Sequence, residues 1–282
     1  MTVGEYISQA QKRIEEAGLE CADALQHSRH IVQAVLEISS ADLIVRSDQQ
    51  LGSDLLSKLE SVLVRRLSGE PFQYIIGHAW FWNWKFAVGP GVLIPRPETE
   101  RLVELALKLE TRDAVRVAEL GAGTGVIGMA LLQERPMWEW HAWEINPASQ
   151  VYLEQNLEML PARSQYHWRL ADFFGGVEQF APYDWLIANP PYVKRSEIGN
   201  LSQEVRHEPF QALDGGTSGL EIVKKLIAVA PKILAPGGGL LLEIGSDQGN
   251  DVLKLLQAGE WVDARIEKDL AGLDRVAVAR KG

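Results

Sequence analysis

The chain has 282 residues, is 46% hydrophobic, and carries a net charge of −10 with an isoelectric point near 5.2. That length predicts one large domain with a smaller companion, and the apolar content is ample for a core. The acidic balance argues against a surface that captures nucleic acid by neutralising phosphates, because Lys and Arg gather no more densely than in pairs such as Arg65-Arg66 and Lys194-Arg195.

The start, Met1 to Tyr6, lacks a basic region followed by an apolar one, and no stretch approaches bilayer length, so a cytoplasmic protein without a membrane partner is expected. Apolar residues at Val3, Tyr6, Ile7, Ala10, Ile14 and Ala17 predict a helix over 3–17 that Gly18 closes. Cys21, the single cysteine, excludes an intramolecular disulfide and a multi-thiolate zinc site, and reads as a helix-packing residue. A second helix is predicted over 24–38, and Ser53 reads as the N-cap of a third that Gly69 and Pro71 stop. Together these form a small helical bundle with no chemistry of its own.

From Trp80 to Val88 the period becomes two, which predicts a strand. Gly89-Pro90-Gly91 then turns the chain into a second short strand, Val92-Leu93-Ile94, so the pair reads as a hairpin. Its aromatic density reads as packing, since a base-stacking platform would want basic neighbours. Pro97 and the acids after it suit the first turn of a helix whose apolar face includes Leu102, Val103 and Ala106.

Strands then alternate with helices. Strands are predicted over 115–120, from Trp138 to near Glu144, at Tyr166 to Leu170, over 184–188, over 240–244, and over 262–266 and 276–279. Helices are predicted over 126–132, 151–160, 220–234 and 247–257. This alternation argues for a parallel sheet covered on both faces, an α/β fold. Six histidines at no paired ligand spacing give no reason to expect a metal.

The strand over 184–188 ends in Asn189-Pro190-Pro191-Tyr192, because neither proline can donate to a sheet ladder. Asn189 thus stands at a carboxyl strand end, the edge where open α/β sheets bind ligands. It offers a carbonyl and an amide group, Pro190 a backbone carbonyl, and Tyr192 a flat face, a set suited to holding a planar nitrogen group. The tetrapeptide resembles the signature of methyltransferases that modify glutamine amides or the amino groups of adenine and cytosine.

Gly121-Ala122-Gly123-Thr124-Gly125 follows the first sheet strand and opens a helix, where glycines allow close backbone approach and free N–H groups face a ligand. Gly123 to Gly128 also matches the dinucleotide fingerprint. Glu144, at the end of the second strand, stands where an acid accepts ribose hydroxyls. Asp172 reads either as an acceptor for an adenine amino group, with Phe173 packing on the ring, or as a helix cap. Both cofactor classes share these features. The Asn189 to Tyr192 clamp decides for S-adenosylmethionine, with S-adenosylhomocysteine as product, because hydride transfer has no evident use for it.

Over nearly its whole length the chain resembles the release-factor glutamine methyltransferases. The matching pieces are Arg66 with Gly69-Glu70-Pro71 and Tyr74-Ile75, Leu93 to Glu100, Gly121 to Gly125, Asn189 to Tyr192, Glu204-Val205-Arg206 with Glu208-Pro209, Glu243-Ile244-Gly245 with Gln248, and Asp274-Arg275-Val276. The resemblance implies a class I fold with a Rossmann-like seven-stranded sheet whose last strand is antiparallel. It also implies cofactor contacts from the glycine loop, Glu144, Phe173 and Asn189, and a substrate glutamine held by Asn189, Pro190, Pro191 and Tyr192. Family members can carry Asp where Glu144 stands and Trp where Phe173 stands. The expected organisation is a helical substrate-recognition domain at 1–72, a β-hairpin linker at 73–96 and a methyltransferase domain at 97–282. The implied partner is the Gly-Gly-Gln loop of class 1 peptide chain release factors, met by a monomer with no direct nucleic-acid contact. A sister family acting on a ribosomal-protein glutamine typically has Ser-Pro after the arginine where this chain has Pro97-Glu98-Thr99-Glu100. A DNA adenine methyltransferase would need a basic groove and a base-flipping domain.

Overall fold

A computed structural model describes residues 1–18 and 23–282; Cys21 lies outside the described residues. The chain divides into two compact units, Met1–Gly77 with Ser202–His207, and His78–Leu201 with Glu208–Gly282.

The first unit contains α1 (Val3–Glu16), α2 (Ala24–Leu36), α3 (Ser40–Val45), α4 (Ser53–Leu67) and α5 (Phe72–Ile76). Thr2 opens α1 with a reciprocal capping box to Glu5. The apolar stripes of α1, α2 and α4 bury Val3, Tyr6, Ile14, Ile31, Leu59 and Leu63 in one core. Ser53 is not a cap: Gly52 holds that position and Ser53 is the first helical residue. The short α3 and α5 carry too few turns to leave a periodic signal.

Inside this core Arg66 is fully buried. Its guanidinium donates to the Glu204 carboxylate, to His27 Nε2 at 2.7 Å and to the Glu70 carbonyl at 3.3 Å. Burial, then the nearby Arg66 charge, lowers the His27 imidazole to about 4 and keeps it a neutral acceptor.

The second unit opens with β1 (His78–Phe81) and β2 (Trp84–Ala87), an antiparallel pair. The strand expected from Trp80 to Val88 is therefore a hairpin by itself, and 92–94 forms no strand. Trp82 and Asn83 turn the chain with φ of 49° and 63°, the two left-handed residues of a tight hairpin turn. The turn reverses the alternation, so Phe81 and Phe86 both enter the core while Trp80 is 68% exposed. The hairpin, expected as a linker, packs into the core of this unit.

After α6 (Glu100–Leu109) come β3 (Arg116–Leu120), α7 (Val126–Glu134), β4 (Glu139–Glu144), α8 (Ser149–Leu157), β5 (Tyr166–Leu170), β6 (Tyr183–Ala188), α9 (Phe210–Leu213), α10 (Glu221–Ile233), β7 (Leu234–Glu243), α11 (Gly249–Gln257), β8 (Trp261–Lys268) and β9 (Asp274–Lys281). The seven-stranded sheet runs β5-β4-β3-β6-β7-β9-β8. Its strands are parallel except β9, which pairs antiparallel with both β7 and β8. Apolar clusters fill both faces, with Trp138, Trp140, Trp143 and Trp185 fully buried. From β3 the order proceeds outward through β4 and β5, then resumes on the other side at β6. That reversal opens a crevice beyond the carboxyl ends of β3 and β6.

Candidate active site

Four strand ends deliver side chains to one cavity of about 360 Å³ at this crevice. Gly121 to Thr124 follow β3, Glu144 ends β4, Asp172 and Phe173 follow β5, and Asn189 follows β6, and all of them line it.

The backbone N–H groups of Gly121 and Ala122 donate to the Trp143 carbonyl at 2.8 and 3.1 Å, which ties the glycine loop to β4. Gly121, Gly123 and Gly125 have φ of +71°, +56° and +85°, a region costly for residues with a Cβ. A Cβ on Gly121 or Gly123 would meet no atom within 4 Å, so the loop borders open space into which a ligand can approach the backbone. Gly125 differs. It caps α7, a Cβ there would strike the Met129 methyl at 2.4 Å, and it does not line the cavity.

Glu144 is 6% exposed. Its Oε2 accepts the Gly123 N–H and its Oε1 the Asn146 N–H, each at 2.7 Å. Burial raises this carboxyl above its ordinary range, and the backbone donors oppose the rise. A carboxylate offers about four acceptor sites, so two remain after these bonds, enough for two vicinal hydroxyls. Asp172 is exposed, and its Oδ1 accepts the Phe174 N–H at 3.1 Å at the start of a short 3₁₀ turn. It is therefore a cap that also lines the cavity. Phe173 is buried edge-on against Trp143, with ring centroids 5.3 Å apart, and presents part of its surface to the cavity.

Of the Asn-Pro-Pro-Tyr residues, Asn189 and Pro191 line the cavity, while the buried Pro190 and half-buried Tyr192 do not. Ala188 pairs with Leu242, so Asn189 and Glu243 come side by side one residue farther on. Asn189 Nδ2 donates to Thr99 Oγ1 at 3.1 Å, Thr99 Oγ1 donates to Glu243 Oε2 at 2.7 Å, and the Tyr192 hydroxyl donates to Glu243 Oε1 at 3.3 Å. Gln248 Nε2 holds the Tyr192 carbonyl at 2.9 Å. Burial lifts the Glu243 carboxyl to about 7, against the pull of Thr99, Arg275 and Tyr192, and burial also pushes the Tyr192 phenol up.

Residue-type reasoning on its own reads 97–100 as a helix start and does not find Thr99 and Glu243 as partners. Thr99 makes no capping bond; its hydroxyl goes to Glu243 instead. Arg96, also on the cavity wall, donates to the buried Glu208 at 2.5 Å, and Glu208 accepts the Ile94 N–H at 3.1 Å. At the amino end of β4, the strand register brings His141 beside His167. Ligand atoms of Glu139, His141 and His167 there lie within 4.8 Å of one another. Arg116 already bonds Glu139 at 3.2 Å, so the group is an ion-paired cluster, and none of the three residues lines the cavity.

The catalytic domain of hMettl16, solved with the MAT2A 3′UTR hairpin 6, superposes on 70% of this chain and 75% of its own with a TM-score of 0.55 at 16% identity. A methyltransferase from Pyrococcus furiosus matches 80% of this chain and 99% of its own, with a TM-score of 0.50 at 19% identity. These likenesses identify the fold as that of class I methyltransferases. Residues 5–77 match the PrmC N-terminal domain and residues 101–216 the methyltransferase small domain. A release factor glutamine methyltransferase of Coxiella burnetii is 38% identical over 89% of this chain and 90% of its own length. Those of Rhodospirillum rubrum and Koribacter versatilis are 33% and 32% identical over 100% of this chain, covering 86% and 99% of their own. Alike to these relatives along nearly its whole length, the chain belongs to the release factor glutamine methyltransferase family.

Proposed function

We propose that the protein transfers a methyl group from S-adenosylmethionine to the side-chain amide nitrogen of the glutamine in the Gly-Gly-Gln motif of class 1 peptide chain release factors. The observation that carries this reading is that Asn189 opens onto the same cavity as the glycine loop and Glu144. The residues fit the cofactor. Open space beside Gly121 and Gly123 admits its backbone-hugging portion, and the two spare acceptor sites of Glu144 suit ribose hydroxyls. Asp172 and Phe173, also on the cavity wall, would take the adenine, Asp172 as acceptor for its amino group and Phe173 against its ring.

When bound, the cofactor supplies an electrophilic methyl on a sulfonium. The acceptor is a weak nucleophile, because the amide lone pair is delocalised into its carbonyl. The chain compensates by orientation. The Asn189 Oδ1 and Pro190 carbonyl would each accept one amide hydrogen, and Tyr192, tied to Glu243 and Gln248, would fix the far end of the clamp. Such positioning is worth roughly 7–11 kcal/mol in favourable cases. No base is required beforehand, since the proton becomes acidic only as the new N–C bond forms, and it then leaves to solvent.

The helical unit has its own core, and none of its described residues lines the cavity, which supports a role in recognising the release factor. The reading implies action in the cytoplasm, where such factors work. Mass spectrometry tests it: a release factor incubated with the protein and S-adenosylmethionine should gain one methyl on the Gly-Gly-Gln glutamine. A ribosomal protein or duplex DNA should gain none. Methylation of either of those in place of the release factor would overturn the substrate assignment.

A further inference from the structure

We infer that Glu243 is a positioning residue that acts through Thr99 to fix which way the Asn189 amide faces, and that the same carboxylate anchors Tyr192 at the other end of the clamp. The inference rests on the clamp reading above and names what enforces it.

An asparagine side chain is nearly symmetric in shape, so either its carbonyl or its NH₂ fits the same space. Only the carbonyl accepts a hydrogen from a substrate amide, and a flipped Asn189 would oppose one NH₂ with another. Hydrogen-bond direction removes the ambiguity. An ionised carboxylate is acceptor-only, so the single hydroxyl hydrogen of Thr99 goes to Glu243 Oε2 at 2.7 Å. The Thr99 oxygen then has only lone pairs left, and its partner across 3.1 Å must be the Asn189 NH₂. The carbonyl of Asn189 is thereby left for the cavity that the residue lines. On the other carboxylate oxygen, the Tyr192 hydroxyl donates at 3.3 Å. One buried acid thus orders both ends of a motif whose residues come from the strand next to its own.

The charge state of Glu243 decides the direction of the relay. Arg275, which pairs with Asp269 at 3.0 Å, pulls this carboxyl down and Glu98 pushes it up, while Arg96 acts on Tyr192. Once protonated, Glu243 can donate to Thr99. The hydroxyl is then released to donate to Asn189, which stabilises the flipped amide. Methyl transfer should therefore fall as pH drops through the value of about 7 to which burial lifts this carboxyl.

The test is single-turnover methylation of a release factor at saturating S-adenosylmethionine, across pH, with cofactor affinity measured by calorimetry. Thr99→Val should slow transfer by about 10² while leaving cofactor affinity within a few-fold, the scale of one oriented hydrogen bond in a dry site. Thr99→Ser should restore most of the rate. Glu243→Gln, the neutral mimic of the protonated acid, should transfer slowly at every pH and so lose the decline below neutral pH. Transfer by Thr99→Val within about threefold of the parent, a Ser variant as slow as Val, or an unchanged pH profile in Glu243→Gln would each overturn the relay. Asn189→Ala serves as reference. If it is severely slowed while Thr99→Val is not, the relay alone fails; if it is not slowed, the clamp reading fails with it.

Discussion

The Glu144 carboxylate accepts the Gly123 backbone N–H at 2.7 Å, so the acid assigned to the ribose also pins the glycine loop. Glu144→Ala should remove both functions. S-adenosylmethionine affinity should weaken by roughly 1.5–3 kcal/mol, the scale of hydrogen bonds to a charged group. Calorimetry that finds unchanged affinity would sink the ribose assignment.

Asn189→Ala removes the proposed acceptor while strand and prolines remain. Turnover should drop by about 10²–10³. Asn189→Asp keeps an oxygen of the same reach and should retain more activity than Ala. Single-turnover rates at saturating cofactor separate transfer from binding. An Asp variant slower than Ala with cofactor bound equally well contradicts amide acceptance.

Glu119 is fully buried, accepts the Trp140 indole N–H at 2.6 Å, and is lifted by burial to about 8. The folded protein holds this proton more tightly than the unfolded chain. Stability is therefore lost as pH rises from the ordinary carboxyl value of 4.5 to about 8, with a slope of about 1.4 kcal/mol per pH unit for one proton. Glu119→Gln, which mimics the protonated acid, should abolish that component. Urea melts of parent and variant at matched pH should diverge in favour of the variant as pH rises; parallel curves would show that Glu119 is ionised in the fold.

Arg66→Met leaves Glu204 and His27 without their shared donor. Breaking a buried pair typically costs about 3–5 kcal/mol, and a cost at or below the lower end is expected because the Glu204 side chain is 31% exposed. The loss should appear in the helical unit. Release-factor methylation should fall while cofactor affinity by calorimetry holds; equal loss of both would contradict separate roles for the two units.

Periodicity along the chain is a local property. It made the long amphipathic helices, the βα alternation and the glycine loop legible, because burial on one face of a single element imposes its pattern within a dozen or so residues. The motif Asn189 to Tyr192 was legible for a similar reason: two prolines end a buried strand wherever the strand sits. Where a turn preserved the apparent alternation, as at Trp82-Asn83, the local signal misled, since parity along the chain does not reveal which side of a hairpin a residue lands on.

Contacts across the sheet were of another kind. Thr99 and Glu243 are 144 residues apart, and Arg66 and Glu204 are 138 apart. Nothing in the neighbourhood of either partner specifies the other. Strand order and register decide them: β6 beside β7 sets Asn189 next to Glu243, and the turn after Pro97 brings the Thr99 hydroxyl to both. By itself the sequence determined the long elements and that Glu144 and Asn189 stand at carboxyl strand ends. Only the tertiary structure decided how they are oriented, because a hydrogen bond has a direction that depends on a partner the chain supplies from far away.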